Sequence, residues 1–352
     1  MLQLNAAESN TEFKVDTDEN NGVASNTPHS HLEAVSWAKK YYTLVKNHAD
    51  TPSCLVPLRS YADLTTIDGS RVRVVHKLKD SLKVASEMAW GKVETLLGEE
   101  KERHLVNPNL INSAKIIADS YKIYDTVIEA FAEYESPSRL SVLVGRRLVE
   151  LRRQYLEIDP LVLGFVAMQF HYLSHNLLGC MSSEERVPFL PYLKAVDDYL
   201  SLPIGEIHKL AGKYSTASAP LMAVQHLLRV STTVAQSVFD RVSAMNPSYR
   251  SRTNHLTDLI VRLSSIRDIE IYLNYLCLCV LENDIRPVQQ ELFPLCVMLY
   301  PRLHISWKLV QDMLTVIFWE LCDQLSNDDL TFFLPHLRTM SEMFSDEVFA
   351  EQ

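Results

Sequence analysis

Two histidines on one helical segment are the residues whose spacing first suggests chemistry. His171 and His175 lie four residues apart, so both imidazoles project from one helix face, where they could reach one metal ion or the edge of a haem. No carboxylate or third histidine lies nearby in the sequence to complete a metal site. The spacing therefore favours histidines satisfied by backbone or inter-helix hydrogen bonds, and no metal site is predicted.

Other catalytic arrangements are missing from the sequence. The chain has no GxSxG, P-loop, Rossmann glycine pattern, HExxH or Cys–His nucleophile arrangement. Four glutamates lie on the predicted helices, but none of them belongs to a Glu-x-x-His pair of the kind that forms di-iron sites. These glutamates are Glu129, Glu133, Glu150 and Glu157. We therefore expect a protein that is not an enzyme. An enzyme of tetrapyrrole metabolism that uses His171 and His175 is the alternative on the enzymatic side.

Basic side chains cluster on the segment that follows Pro137. The cluster consists of Arg146, Arg147, Arg152 and Arg153. It predicts a solvated helix face with Glu150 and Glu157 as helical partners, or else an anchor for acidic partners. The whole chain carries 44 acidic against 34 basic side chains, a formal net charge of -10, which argues against nucleic acid as the main ligand.

The cysteines and the first thirty residues bear on the compartment. The six cysteines are scattered without a CxxC pair, which favours reduced thiols in a cytosol. Cys277 and Cys279 lie inside an apolar run, so burial is expected for both. Residues 1–30 are acidic and poor in apolar side chains, unlike a signal or transit peptide, and they predict a disordered tail.

The elements that must position these residues are predicted to be helices. Only 9 glycines and long apolar patterns of period 3.6 indicate an all-α protein. The predicted helices are His31–His48, Val72–Leu97, Asn109–Tyr134, Pro137–Leu156, Pro160–Leu178, Pro188–Leu200, Ile204–Lys213, Ala219–Met245, Ser251–Leu281, Val288–Leu299, Ser306–Leu325 and Asp328–Phe344. As an alternative at one place, Asp68-Gly69 between alternating apolar residues suggests a hairpin over Thr65–Val75.

One uncharged segment and one polar segment set the organisation. The segment Leu161–Met181 has the length of a membrane span but contains several polar side chains, so a buried helix and a soluble protein are predicted. The polar segment Cys180–Val187 is the expected boundary between domains. The prediction is a helical domain of unknown type over residues 31–185 and a second domain over residues 186–348.

The stretch Ser264–Pro287 resembles the chromophore-site helix of phycobiliproteins. In that family Cys-x-Arg-Asp is followed by an apolar Tyr-Leu-Arg run and a turn that ends in proline. Arg267-Asp268, Tyr272-Leu273 and Pro287 fall in that register, while Ser265 stands where the bilin-anchoring cysteine would be. From about Pro188 to Phe344, the order and spacing of the helices look like a whole phycobiliprotein subunit.

The resemblance implies a ligand site on this helix. By analogy Asp268 would bind the pyrrole nitrogens of a bilin and Arg267 would pair with a propionate, with Tyr272 as a wall and Ser265 beside the pocket. Ser265 cannot form the thioether, and Asn274 replaces the family's second arginine. The expectation is therefore a C-terminal phycobiliprotein-type globin-like fold, preceded by a separate helical domain, with no covalent cofactor and at most a non-covalent bilin.

The function that the resemblance implies is non-enzymatic. We expect a phycobilisome-associated or bilin-handling protein whose partners are phycobilisome subunits or proteins of bilin metabolism. The ligand would be a small apolar molecule or a tetrapyrrole, and a homo-oligomer stays open. The implied location is the cytoplasm, at the cytoplasmic face of the thylakoid through the phycobilisome. The alternative is a signalling or stress-sensing non-haem globin that holds a fatty acid, or nothing, and acts through protein–protein interaction.

Overall fold

Helices build the whole described part of the chain. The computed structural model describes residues 64–104, 106–250, 256 and 259–349. Within these ranges there is no β-strand, and the predicted all-α class is confirmed. The helices are α1 Leu64–Leu97, α2 Glu100–Arg103, α3 Ser113–Ala132, α4 Pro137–Ile158, α5 Pro160–Gly179, α6 Ser183–Arg186, α7 Leu190–Ser201, α8 Ile204–Ala211, α9 Ala219–Met245, α10 Leu259–Glu282, α11 Phe293–Leu299, α12 Trp307–Gln324, α13 Asn327–Met343 and α14 Asp346–Phe349. The tail 1–30 and the helix His31–His48 lie outside the described residues.

The hairpin alternative for Thr65–Val75 is wrong. Helix α1 runs without interruption from Leu64, and Gly69 lies inside it. The reason is visible further along the helix, where every third or fourth residue is a buried apolar side chain: Val74, Leu78, Leu82, Ala85, Ala89, Val93 and Leu96. This long helical pattern outweighs a local Asp-Gly turn signal.

Other helix bounds also differ from the prediction, and two of the differences matter for the packing. The helix expected from Ser251 begins at Leu259, and Leu256 lies in a turn before it. The helix expected over residues 288–299 is divided, because Val288–Leu292 forms one π-helical turn before α11 starts. Pro294 in the first turn of α11 lacks the N–H that would continue a regular helix from the preceding turn. Side-chain caps mark several other starts: Ser136 for α4, Asp159 for α5 and Ser326 for α13.

The N-terminal core includes a helix from beyond the expected boundary. Helices α1, α3, α4 and α5 pack together, and α7 packs against α4 with its apolar side chains in the same core. In this core the Phe131 ring meets the rings of Phe189 and Tyr192 edge to face, and the Phe189 and Tyr192 rings stack on each other. The domain boundary at residue 185/186 stays a prediction, and α7 shares its core with the helices that precede that boundary.

Helix α10 lies at the centre of the second core. It packs against α8, α9 and α13, and side chains on all its sides are buried from Tyr272 to Leu281. Cys277 and Cys279 are part of this core and are fully buried, as expected. The sequence reads as uniformly apolar here because the helix has neighbours on every side.

Helix α5 joins the two cores. It packs on α1 and α3 in the N-terminal core and also on α11. Gln169 in its middle donates to the Ser86 carbonyl (3.0 Å) and to the Ser120 hydroxyl (3.1 Å), which satisfies a buried amide. Among the residues that the structure describes, no helix has the length and apolarity that a membrane crossing requires. The sequence prediction that Leu161–Met181 is a buried helix agrees with its packing.

A glycine allows α8 to approach α4 closely, and its replacement is a test of this packing. A Cβ on Gly205 would lie 2.3 Å from Cγ1 of Val149, a stiff β-branched side chain. We expect Gly205→Ala to lower the free energy of unfolding by about 1–3 kcal/mol, although alanine favours helix. Gly91→Ala in α1 is the matched control, because no atom lies within 4 Å and stability should rise by about 0.5–1 kcal/mol. Urea unfolding of both variants measures the difference, and a stabilising Gly205→Ala would contradict this packing.

Candidate functional site

A large cavity lies where the two cores meet. Its volume is about 390 Å³, and most of its wall is apolar. Helix α5 forms one part of the wall, and helices α9, α10, α11 and α12 form most of the rest. Cavities of this size between helices are the usual place for a small ligand. The residues predicted for a ligand site can therefore be compared with this wall one by one.

Arg267 and Asp268 both line the cavity and form an ion pair there. Arg267 donates to Asp268 Oδ1 at 2.8 and 3.1 Å, and its Nη1 also donates to Asp197 at 2.8 and 3.1 Å. The side chains of Arg267 and Asp268 are only 18% and 25% exposed. Burial raises the pKa of Asp268 although the Arg267 charge opposes this. The pair is therefore a desolvated group inside the site rather than a solvated surface contact.

Of the other two predicted site residues, Ser265 lies at the cavity and Tyr272 does not. Ser265 lines the cavity beside the Arg267–Asp268 pair. Tyr272, expected as a wall, is fully buried in the core, where its ring packs against Phe344 and its hydroxyl lies 3.4 Å from Cys296 Sγ. Cys296 does line the cavity, so Tyr272 supports the wall from behind. Tyr272 lies about one turn further along the same helix face than Asp268, and there its side chain meets the packed core instead of the cavity.

His171 and His175 line the same cavity from helix α5. Burial lowers the pKa of His171 to about 4, and the nearby Arg267 charge acts in the same direction. Burial also lowers the pKa of His175. Both imidazoles are therefore neutral near pH 7. No group of three His, Cys, Asp or Glu side chains in the described ranges is arranged to hold a metal ion.

Arg152 is not part of a solvated basic face, which corrects the sequence prediction for this residue. Its side chain is 2% exposed and reaches the cavity wall. It donates to the Leu200 carbonyl (3.1 Å) and to the Tyr275 hydroxyl (2.9 Å). Glu206 at 3.8 Å and Glu291 at 3.7 Å flank the guanidinium. The position lies on the buried face of α4, in step with buried Leu148 and Tyr155, so a long-range partner had to exist.

A third buried cation follows the same pattern. Lys194 on α7 lies 2.7 Å from Asp198 and 3.6 Å from Glu270 of α10. Together with the clusters around Arg267 and Arg152, three cations at the junction each lie between two carboxylates. We call these the Arg267, Arg152 and Lys194 clusters. Each cluster has one more acidic than basic group, and the members that line the cavity are two arginines and two aspartates, Arg152, Arg267, Asp197 and Asp268.

Asp197 and Lys194 were missed as site residues by sequence reasoning. Both lie on α7, seventy or more residues from their partners on α10, and no local spacing connects them. One signal was present in the sequence. Lys194 and Asp198 are four residues apart on a helix whose other buried side chains, between residues 192 and 200, are apolar or aromatic. An acidic pair at Asp197-Asp198 in such a helix points to a buried partner.

One comparison with known protein families gives a match in the C-terminal part of the chain. A family model described as "Phycobilisome protein" matches residues 193–343. These residues form a phycobilisome-protein domain. The match confirms the resemblance proposed from the sequence and supports a phycobilisome-related role. The domain ends with α13 and begins within α7, so α1 to α5 lie outside the matched residues.

The remaining comparisons add nothing to this. Neither the curated proteins nor the solved structures give a match to the chain. The matched region supplies Arg267 and Asp268 to the cavity, whereas His171 and Arg152 come from helices before the phycobilisome-protein domain. The candidate site is therefore composed of residues from both parts of the chain.

Proposed function

We propose that this protein is a non-enzymatic, phycobilisome-associated protein that binds a bilin non-covalently in the cavity beside Arg267 and Asp268. The observation that carries the proposal is the position of these two side chains, which line an apolar cavity of about 390 Å³ in a domain of the phycobilisome protein family. A desolvated carboxylate is a strong acceptor for pyrrole N–H groups. Ser265 has no thiol for a thioether bond, so binding is non-covalent in this proposal.

The charges around the cavity support a bilin over a fatty acid. Arg152 and Arg267, which line the cavity, each already lie between two carboxylates. A fatty-acid carboxylate would have to compete with these carboxylates for a cation. A tetrapyrrole presents N–H donors instead, and it can carry a proton. The fatty-acid-holding sensor is therefore the less well supported alternative.

The packing of α7 supports an associated protein rather than an ordinary subunit. By resemblance, the helical hairpin at the start of the phycobiliprotein body is the surface through which subunits pair. Here α7 and α8 occupy this position, and α4 of the same chain packs over α7. Gly145 of α4 lies against the Tyr199 ring, and Gly205 of α8 lies against Val149. The protein would then work beside the phycobilisome at the cytoplasmic face of the thylakoid, with phycobilisome subunits or bilin-handling proteins as partners.

The test is the absorption spectrum of the full-length protein co-expressed with bilin-synthesising enzymes. We expect a coloured protein whose pigment separates from the chain on gel filtration in acid urea. Asp268→Ala should remove the colour or weaken bilin affinity at least about tenfold, because a buried charged acceptor is lost. Asp80→Ala on the exposed face of α1 is the control and should bind as the wild type does.

Two outcomes would contradict the proposal. Pigment that stays on the chain in acid urea would show covalent attachment at another residue. A colourless protein, with no spectral change when biliverdin is added to the purified chain, would remove the bilin from the proposal and leave only the phycobilisome association.

A further inference from the structure

Helix α5 contributes a wall of the cavity that the phycobilisome-protein domain does not contain. Ala167, Met168 and His171 of α5 line the same cavity as Asp268. The helix is held in place on its other side by α1 and α3. Gly164 lets it lie close to α11, since a Cβ there would be 2.4 Å from Met298 Cε. The wall is therefore a fixed part of the site, built by the N-terminal helices.

His171 is the polar group that this wall offers. Its imidazole makes an edge-to-face ring contact with Tyr172, and the ring is half-buried at the cavity. A neutral imidazole has one nitrogen that accepts and one that donates. It adds no charge to a wall whose two arginines are each already paired with carboxylates. It can thus form a hydrogen bond with an N–H donor or with a carbonyl of an apolar ligand.

We propose that the ligand binds across both halves of the chain, with His171 on α5 contacting it together with Asp268 on α10. This inference rests on the proposed function and names a second part of the same site. The ligand is then an apolar molecule with polar N–H or carbonyl groups on two of its edges. Its binding ties the N-terminal helices to the phycobilisome-protein domain, so occupancy should stabilise the contact between them.

The experiment is a titration of the purified full-length chain with biliverdin, followed by absorption, for variants of the α5 wall. Ala167→Phe places a ring in the cavity and should weaken affinity more than about tenfold by steric exclusion. His171→Leu keeps a similar volume without a hydrogen bond, and we expect a loss of about five- to tenfold together with a shift of the absorption maximum. His171→Gln should recover part of the affinity, because the amide can still donate and accept.

Control measurements separate binding from folding. His76→Ala, on an exposed position of α1, should leave the titration unchanged. Thermal unfolding without ligand shows whether each variant is folded, and the rise in Tm on adding biliverdin should be smaller for Ala167→Phe and His171→Leu than for the wild type.

The outcomes distinguish this inference from the function on which it rests. If the α5 variants bind biliverdin as the wild type does while Asp268→Ala does not, the inference is overturned and the proposed function stands. If the wild type itself takes up no biliverdin, the proposed function fails and the two-sided site fails with it. Loss of affinity in both α5 variants, with unchanged Tm in the absence of ligand, supports the inference.

Discussion

Arg152→Ala is expected to lower the free energy of unfolding by about 3–5 kcal/mol. Arg152 is almost completely buried and bonds to the Leu200 and Ser201 carbonyls and to the Tyr275 hydroxyl. Its removal would strand these acceptors and leave Glu206 and Glu291 without the cation between them. The guanidinium connects α4 to α7 and α10. The variant should therefore unfold in one cooperative transition with its midpoint at a lower urea concentration, and not by local fraying of one helix.

The neighbouring arginine provides the control. Arg153 pairs with Glu150 at 2.7 Å and with Glu157, but all three side chains are about half exposed. Such an ion pair contributes little, so Arg153→Ala should leave the urea midpoint close to that of the wild type. Equal effects of the two substitutions would contradict the structural role given to Arg152.

Lys194→Met is the second substitution with a large expected effect. The side chain is 21% exposed, and its ammonium lies between Asp198 and Glu270, whose side chains are 4% and 1% exposed. The nearby carboxylates raise the pKa of Lys194 above its usual value, against the effect of burial. Removing this cation leaves two buried carboxylates close together. We expect a loss of about 3–5 kcal/mol near pH 7.

The pH dependence of this loss can be worked out. A lysine with a raised pKa stabilises the fold at every pH below its ordinary value of about 10.4, so the wild-type contribution is constant between about pH 5 and pH 8. In Lys194→Met, protons can neutralise the stranded carboxylates as the pH falls. The difference in Tm between wild type and variant should therefore be smaller at about pH 5 than at about pH 8.

Lys308→Ala is the matched control for this measurement. Lys308 also pairs with an aspartate four residues away, Asp312 at 2.5 Å, but its side chain is 73% exposed. The substitution should cost less than about 0.5 kcal/mol at either pH. A pH-independent loss for Lys194→Met would mean that packing of the lysine stem, rather than its charge, is what the fold requires.

Much of the helical framework could be predicted from local patterns. The bounds of α9 agree with the prediction, and α4 and α5 begin at the predicted prolines, since period and capping residues act within a few positions. The start of α10 and the π-helical turn before α11 could not be predicted, because they depend on how neighbouring helices pack. Arg152 was misplaced for a related reason: four nearby arginines look alike in sequence, and only the fold shows which of them faces inward.

The residues of the candidate site could likewise be predicted only in part from the sequence. Arg267 and Asp268 were recognisable because they lie together in a register that resembles a known family, and both line the cavity. Tyr272, in the same register, lies in the core, because it is about one turn beyond Asp268 on the same helix face and the neighbouring helices decide what it meets there. The connection of His171 to Asp268 joins positions almost a hundred residues apart, which no spacing rule reaches.

Helix α7 has a consequence for how the chain acquires its structure during synthesis. It closes the N-terminal core, yet the family match already begins inside it. On the ribosome, helices α1 to α5 emerge before the side chains of α7 that complete their core, so an apolar surface stays open until α7, which ends at Ser201, has also emerged. The N-terminal helices can therefore complete their core only after the first helix of the matched region has been synthesised. A chain cut at the start of the family match would separate an incomplete helical bundle from the helix that covers it.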